Sequence, residues 1–325
     1  MIYSWPIIGH QKIVNYLQQS IKRQRISHAY LFYGPENIGK KSLAKYFSQS
    51  LICDNTETKP CHRCLSCQQF LKNIHPEVVW VRREQDKKNI SIDQIRELKE
   101  KIYLSGFTNG YKVIIIVNAE EISKEAANSF LKILEEPPLK CVIIILANKL
   151  KNIPETILSR CQTIKFSLVS KKEIANFLKK EYKINQEKTE ELSSLALGLP
   201  GRANKFFQNK NLLAEYLEQQ EKLIKIINAD LGKKLKIAKE ISASASIDKI
   251  ISHWKIFIRD LILYKTDNKN LIVNISLKSN IKKIAEQLNF EKLYYLEQEL
   301  NKLTFYFGQN INIGLALDNF VININ

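Results

Sequence analysis

The sequence predicts an α/β protein, a parallel sheet with helices on both faces, followed by an all-helical half. Three observations predict it. An apolar run, Ala29–Tyr33, leads into the glycine-bounded loop Gly34–Ser42 and then into a helix-patterned segment from Lys40 to Leu51. Two further runs of β-branched and apolar residues, Val113–Val117 and Val142–Ala147, alternate with helix-patterned segments, as strands buried on both faces do. Beyond Phe166 such runs stop and helical periodicity takes over. The expected division is an α/β domain over 1–166, a small helical module over 167–210 and a second helical domain over 211–325.

Taken in order, Ile13, Leu17 and Ile21 are spaced for one face of a first helix, after Trp5-Pro6-Ile7-Ile8-Gly9-His10-Gln11. Glu77–Arg82 reads as a strand, and Ser91 or Asp93 starts a helix that turns Ile95 and Leu98 inward. Ser123 caps a helix with Ala127, Phe130, Leu131 and Leu134 on its inner side, stopped by Pro137-Pro138. Two short helices, Ser170–Glu181 and Gln186–Leu197, precede the turn Gly198–Gly201. Helices are then expected at Leu212–Asn228, Leu231–Ser242, Ile247–Lys265, Leu277–Leu288, Phe290–Leu303 and Ile311–Ile324. Trp254, Phe257, Leu261 and Leu263 read as core, and so do Tyr294, Tyr295, Phe305 and Tyr306; the lysines between 233 and 239 read as a solvated face.

After the loop helix comes Cys53-x7-Cys61-x2-Cys64-x2-Cys67. Four thiols at this spacing can close a tetrahedral shell around Zn²⁺, with His62 as a conceivable substitute ligand. Four sulfurs leave no open coordination position, so the expected metal is structural zinc in a module over 53–67.

The formal net charge of +17 and pI near 9.4 favour an anionic partner, nucleic acid before membrane. A lysine-rich composition bias is the alternative reading of that charge, of equal weight. No N-terminal stretch reads as a signal peptide, and no apolar run approaches the ~20 residues of a membrane span. Clustered cysteines suit a reducing compartment, so a cytoplasmic location without membrane contact is expected.

The loop from Gly34 to Gly39-Lys40 has the Gly-x4-Gly-Lys spacing of a phosphate-cradling P-loop. The next residue should carry a hydroxyl for Mg²⁺; here it is Lys41. Ser42 follows, but one helical residue is about 100° of rotation, which turns its hydroxyl elsewhere. A second acidic site should end the strand Val113–Val117, with an Asp for Mg²⁺ and a Glu to polarise water. Asn118 and Ala119 stand there, and Glu120 and Glu121 lie just past the strand end. Lys40 still suits a phosphate. ATP binding therefore stays open, and hydrolysis is not expected.

Four stretches together resemble one family: Ser27–Phe32 before Gly34-Pro35, the four-cysteine insert, Asn128–Pro138 with its Leu-Glu-Glu-Pro-Pro ending, and Thr156-Ile-Leu-Ser-Arg160-Cys161. They resemble bacterial clamp-loader subunits, AAA+ proteins of the DNA polymerase III holoenzyme. The specific motifs lie within residues 1–210, and 211–325 fit by length and helical pattern only. The resemblance implies a helical lid over 167–210 and an oligomerising collar over 211–325. It also implies a ring with other loader subunits (gamma/tau and delta) that loads the sliding clamp on primed DNA.

Within the family, gamma/tau motors keep the P-loop hydroxyl and the second acidic site, and the delta-prime type is often degenerate at both. Lys41, Asn118 and Ala119 make this chain look like the delta-prime type, a non-hydrolysing stator. Its length, ending with the third domain, agrees with that. By resemblance, Arg160 is an arginine finger reaching a neighbour's ATP, Asn148 falls near the sensor-1 position and Arg202 near sensor 2. The alternatives are an ATP-hydrolysing gamma/tau-type subunit, with Ser42 and Glu120 standing in for the missing parts, and a zinc-containing nucleic-acid binder with a relic P-loop.

Overall fold

The computed structural model describes residues 2–103, 110–244, 246–307 and 312–324. Its chain forms two compact units, Met1–Ile174 with Gly198–Gly201, and Ala175–Leu197 with Arg202–Asn325.

The first unit contains β1 (Ile2–Tyr3), α1 (Gln11–Lys22), β2 (Ala29–Tyr33), α2 (Lys40–Ile52), β3 (Thr58–Lys59), α3 (Leu65–Leu71) and β4 (Val78–Val81). It continues through α4 (Ile92–Tyr103), β5 (Lys112–Val117), a 3₁₀ turn at Ala119–Glu121, α5 (Lys124–Glu135), β6 (Cys141–Ala147), α6 (Glu155–Leu158) and β7 (Gln162–Lys165). Five strands form a parallel sheet in the order β4-β5-β6-β2-β7, and β1 pairs with β3 in a separate two-stranded ladder. The P-loop strand β2 is thus flanked by two later strands, and its loop leaves the carboxyl edge, where such sheets place ligand sites.

Successive strand residues face opposite sides of the sheet, so the unbroken apolar runs of β2, β5 and β6 make both faces apolar. Ala29 and Leu31 join Ile114, Ile116, Ile143 and Ile145 in a core with Ile95 and Leu98 of α4 and Phe130 and Ile133 of α5. Tyr30 and Phe32 project the other way. Their rings lie 5.3 Å from Phe47 of α2 and 5.5 Å from Phe166, respectively. Ser91 opens α4 as half of a capping box: its hydroxyl accepts from Gln94 N at 3.4 Å, and its own N–H donates to Gln94 Oε1 at 3.1 Å. Ser123 caps α5 by accepting from Ala126 N at 3.1 Å.

Chain order then gives α7 (Lys171–Tyr182), α8 (Gln186–Leu195), α9 (Pro200–Gln208), α10 (Lys210–Asn228), α11 (Leu231–Ser242) and α12 (Ile247–Lys265). Next come α13 (Lys278–Gln287), α14 (Phe290–Phe307) and α15 (Ile313–Ile322); position 311, the expected start of the last helix, lies outside the described residues. The core of the second unit joins Trp254, Phe257 and Leu261 of α12 to Leu293, Leu296, Leu300 and Leu303 of α14 and Leu317 and Phe320 of α15. Trp254 stacks on Phe320 and donates its indole N–H to Gln219 O at 2.8 Å. Buried Asp260 accepts from the N–H groups of Val273 and Asn274 and from Asn274 Nδ2, which satisfies a turn that would otherwise bury orphan donors.

Two readings of this half are corrected. Tyr294, Tyr295 and Phe305 are exposed and Tyr306 is half-buried, because the leucines at 293, 296, 300 and 303 already form the inward stripe of α14 and place those rings on other faces. Lys234 is buried rather than solvated: it shares a face with Ala238 and Ile241, so its aliphatic stem follows the apolar side of α11.

Candidate functional site

The P-loop is built by backbone conformation before any side chain enters. Gly34 has φ 147°, and a Cβ there would stand 2.5 Å from the carbonyl oxygen of Phe166. Gly39 has φ 112° and immediately precedes α2. Both positions favour glycine, and they aim the N-terminus of α2 at the loop, a favourable place for an anion. His10 rests its ring against Phe166 and bonds the carbonyl of Ile38 at 3.2 Å. It also lines an adjoining cleft of about 350 Å³.

Lys40 is buried, and its three ammonium protons are all taken. It donates to Gly34 O, to Pro35 O at 2.8 Å and to Asn148 Oδ1 at 3.0 Å. Asn148, the first residue past β6, is itself held by Glu120. Its Nδ2 donates to Glu120 Oε1 at 2.7 Å and its backbone N–H donates to the same carboxylate at 3.1 Å. A chain of bonds thus runs from Glu120 through Asn148 to Lys40. Lys40 must give up a protein acceptor before it can hold a phosphate, and Glu120 is occupied as a brace.

Burial pushes the Lys40 pKa down to about 8, against the attraction of Glu120 and Glu36. An unfolded lysine titrates at 10.5, so between about 8 and 10.5 the unfolded chain binds more protons. The burial cost is therefore fully present below about 8 and is relieved as pH rises through that window. Urea melts of the parent and of Lys40→Met across this range are expected to diverge in the parent's favour as pH increases.

The other expected nucleotide positions make contacts within the protein or face solvent. Asn118 adopts φ 55°, starts the 3₁₀ turn and donates Nδ2 to Glu121 Oε1 at 3.2 Å. Glu121 in turn accepts from Arg83 Nε at 3.1 Å. Ala119 is buried. Ser42 is exposed, and Lys41 turns its ammonium over the ring of Trp80, 5.8 Å from the centroid.

Arg160 follows α6 by two residues and is partly exposed. Its Nη2 pairs with Glu135 Oε1 at 2.7 Å, and its Nη1 donates to Thr156 O at 3.0 Å and Ser159 Oγ at 3.3 Å. The Glu-Glu-Pro-Pro end of α5 and the Ser-Arg-Cys element, read separately in the sequence, are therefore one cluster. No spacing in the sequence marks this pairing, since the partners are 25 positions apart.

The sulfurs of Cys53, Cys61, Cys64 and Cys67 all lie within 4.8 Å of one another. A tetrahedral Zn–S shell of about 2.3 Å puts sulfurs about 3.8 Å apart, and Cys61 and Cys67 are at 4.0 Å. The N–H groups of Cys61, Cys64 and Cys67 point at Cys53, Cys61 and Cys64 sulfurs at 3.3–3.4 Å, the backbone support that thiolate ligands require. The four-cysteine set is thus compatible with a structural metal. His62 stands apart from it, 3.3 Å from Gln49 Nε2. Arg202 lies in the second unit, its guanidinium over the rings of Phe206 and Tyr216 at 5.3 and 5.6 Å.

Two family models match the chain. One, described as DNA polymerase III, delta subunit, matches residues 9–170; the other, DNA polymerase III, delta subunit, C terminal, matches 214–325. The chain belongs to the clamp-loader subunit family of DNA polymerase III. Among its relatives is the Bacillus subtilis DNA polymerase III subunit tau, 27% identical over 91% of this chain and 56% of that protein. The gamma subunit of Buchnera aphidicola from Acyrthosiphon pisum is 33% identical over 54% of this chain and 48% of its own length. The delta' subunit of Bacillus subtilis is 29% identical over 70% of this chain and 67% of its own. This family member therefore spans about half the length of the tau and gamma relatives. A gamma-subunit-related protein of Thermotoga maritima shares the fold, with a TM-score of 0.52, 15% identity and coverage of 95% and 98% of the two chains. Among the described residues, no helix is long and apolar enough to cross a membrane.

Proposed function

We propose that this clamp-loader family member is the non-hydrolysing, delta-prime type of subunit. It acts as a stator in a cytoplasmic complex with gamma/tau and delta subunits that loads the sliding clamp on primed DNA. One observation carries the reading: the hydrolytic parts are absent together. Lys41 replaces the Mg²⁺-binding hydroxyl, Asn118 and Ala119 replace the acid pair, and Lys40 is committed to Gly34, Pro35 and Asn148. Arg160 serves the ATP of a neighbouring subunit, and Asn148 and Arg202, at the sensor-like positions, have structural roles. Cys53, Cys61, Cys64 and Cys67 hold one structural zinc. Residues 1–166 form the AAA+ domain, 167–210 the lid and 211–325 the collar. The exposed rings of Tyr294, Tyr295 and Phe305 suit a collar that is covered by other subunits.

The gamma/tau-type reading has the tau and gamma relatives in its favour. It needs Glu120 as the acid, and that carboxylate is bonded twice by Asn148. Co-purification with gamma/tau and delta decides whether the chain is a loader subunit at all. A stable complex whose clamp-loading activity depends on this chain is expected, and failure to assemble with either partner would overturn the proposal.

A further inference from the structure

A cleft of about 540 Å³ opens beside β4, an edge strand of the sheet. Three elements bring cations to it: Lys41 and Lys45 lie one turn apart on α2, Arg82 follows β4, and Lys101 lies in the last turn of α4. Its lining includes no Asp or Glu. Among the described residues none of these four cations is in an ion pair. They sit close enough to act on one another: burial lowers the Lys41 pKa, and Lys45 and Arg82 lower it further. Trp80 forms part of the same wall, half-buried under the Lys41 ammonium. The residue that lacks the P-loop's hydroxyl is therefore a wall of a second, cationic groove.

Gathering like charges without counter-charges is unfavourable in the free chain and is relieved by a polyanion. Cations flanking an aromatic face are the elements of a single-stranded nucleic-acid site, with phosphates on the cations and a base on the ring. We propose that this groove binds single-stranded nucleic acid, with Lys41, Lys45, Arg82 and Lys101 on the backbone phosphates and Trp80 stacked on a base. The choice of nucleic acid over other polyanions rests on the reading of the chain as a loader subunit working on primed DNA; the groove itself does not.

The full chain carries its own reporter. Trp5 and Trp254 are buried, and Trp80 is the half-exposed tryptophan. Titration with an oligo(dT) single strand is expected to quench tryptophan fluorescence saturably, with Trp80→Phe removing most of the signal. Trp80→Ala is expected to weaken binding at least about fivefold. Each phosphate contact contributes about 0.7 to the slope of log K against log salt. Lys41→Met or Arg82→Gln should flatten the slope by about 0.7, and the quadruple Lys41/Lys45/Arg82/Lys101→Ala variant by about 2.8, with at least about a tenfold loss of affinity at low salt. These side chains are exposed, and the single variants keep the test open if the quadruple variant does not fold. Unchanged affinity and slope in folded variants overturn the groove, as does a poly-Glu peptide that binds there as tightly as oligo(dT). Groove variants that lose DNA yet join gamma/tau and delta leave both proposals standing. A chain that binds oligo(dT) through the groove but joins no loader subunit overturns the loader role alone.

Discussion

Replacing Arg160 with alanine is expected to lower the ATPase of the reconstituted clamp loader while the chain still folds and assembles. A guanidinium supplied in trans to a γ-phosphate is worth about 10³–10⁵ in turnover at the site it serves. The loader as a whole should lose the share of its ATPase that depends on that site. Folding should survive because Arg160 is partly exposed and its partners are Glu135, Thr156 and Ser159 on the surface. Exposed ion pairs contribute about 0–1 kcal/mol. Lysine at the same position should rescue poorly, since a point charge lacks the planar donor fork. Glu135→Gln provides the control for positioning: it keeps Arg160 and its bonds to Thr156 and Ser159 but removes its ion pair, so a moderate change in loader ATPase without loss of assembly is expected. Steady-state ATPase of the complex, with gel filtration to confirm assembly, reads all three variants. Full loader ATPase with Arg160→Ala would remove the assignment.

Stripping the proposed zinc is expected to collapse the cysteine module and leave the sheet intact. Zinc binding in small Cys/His peptides is worth about 10–16 kcal/mol in apparent terms and is tied to folding. The segment has little regular structure of its own: α3 has seven residues, β3 pairs with the two-residue β1, and Gln49 of α2 bonds His62 and Cys67 O. The sheet core is independent of it, since Leu31, Ile115 and Ile144 are fully buried between strands and helices. Metal analysis under reducing conditions should find about one zinc per chain, and Cys64→Ser or Cys67→Ser should abolish it. Limited proteolysis should then cut between positions 53 and 67 in the metal-free chain, with the rest resistant. Absence of zinc from the reduced parent chain would count against the assignment.

The buried parts of the fold were legible because burial on both faces leaves a run of apolar residues. β2, β5 and β6 fall where such runs stand. β7 carries no such run, because it is an edge strand in which Ile164 alone is buried and Gln162, Thr163 and Lys165 face outward. The paired β1 and β3 are too short to carry a pattern. In α14 the exposed rings competed with leucines for the inward stripe, and aromatic content alone could not tell which would win.

At the site, residue types and spacings marked the P-loop frame and the cysteine set. What spacing could not convey was who holds whom. The bonds from Glu120 to Asn148 and on to Lys40 cross 28 and 108 positions of sequence. The turn of Lys41 onto Trp80 depends on β4 standing beside α2. These contacts convert missing hydrolytic groups into a positive description: a P-loop whose lysine is bound by its own protein.

ATP turnover by the isolated chain, compared with Lys40→Ala, separates a non-hydrolysing subunit from a motor. The expected result is no turnover above background in either protein, because the hydroxyl, acid and base positions are Lys41, Asn118 and Ala119. Turnover in the parent that disappears with Lys40→Ala would contradict it and return the chain to the motor class.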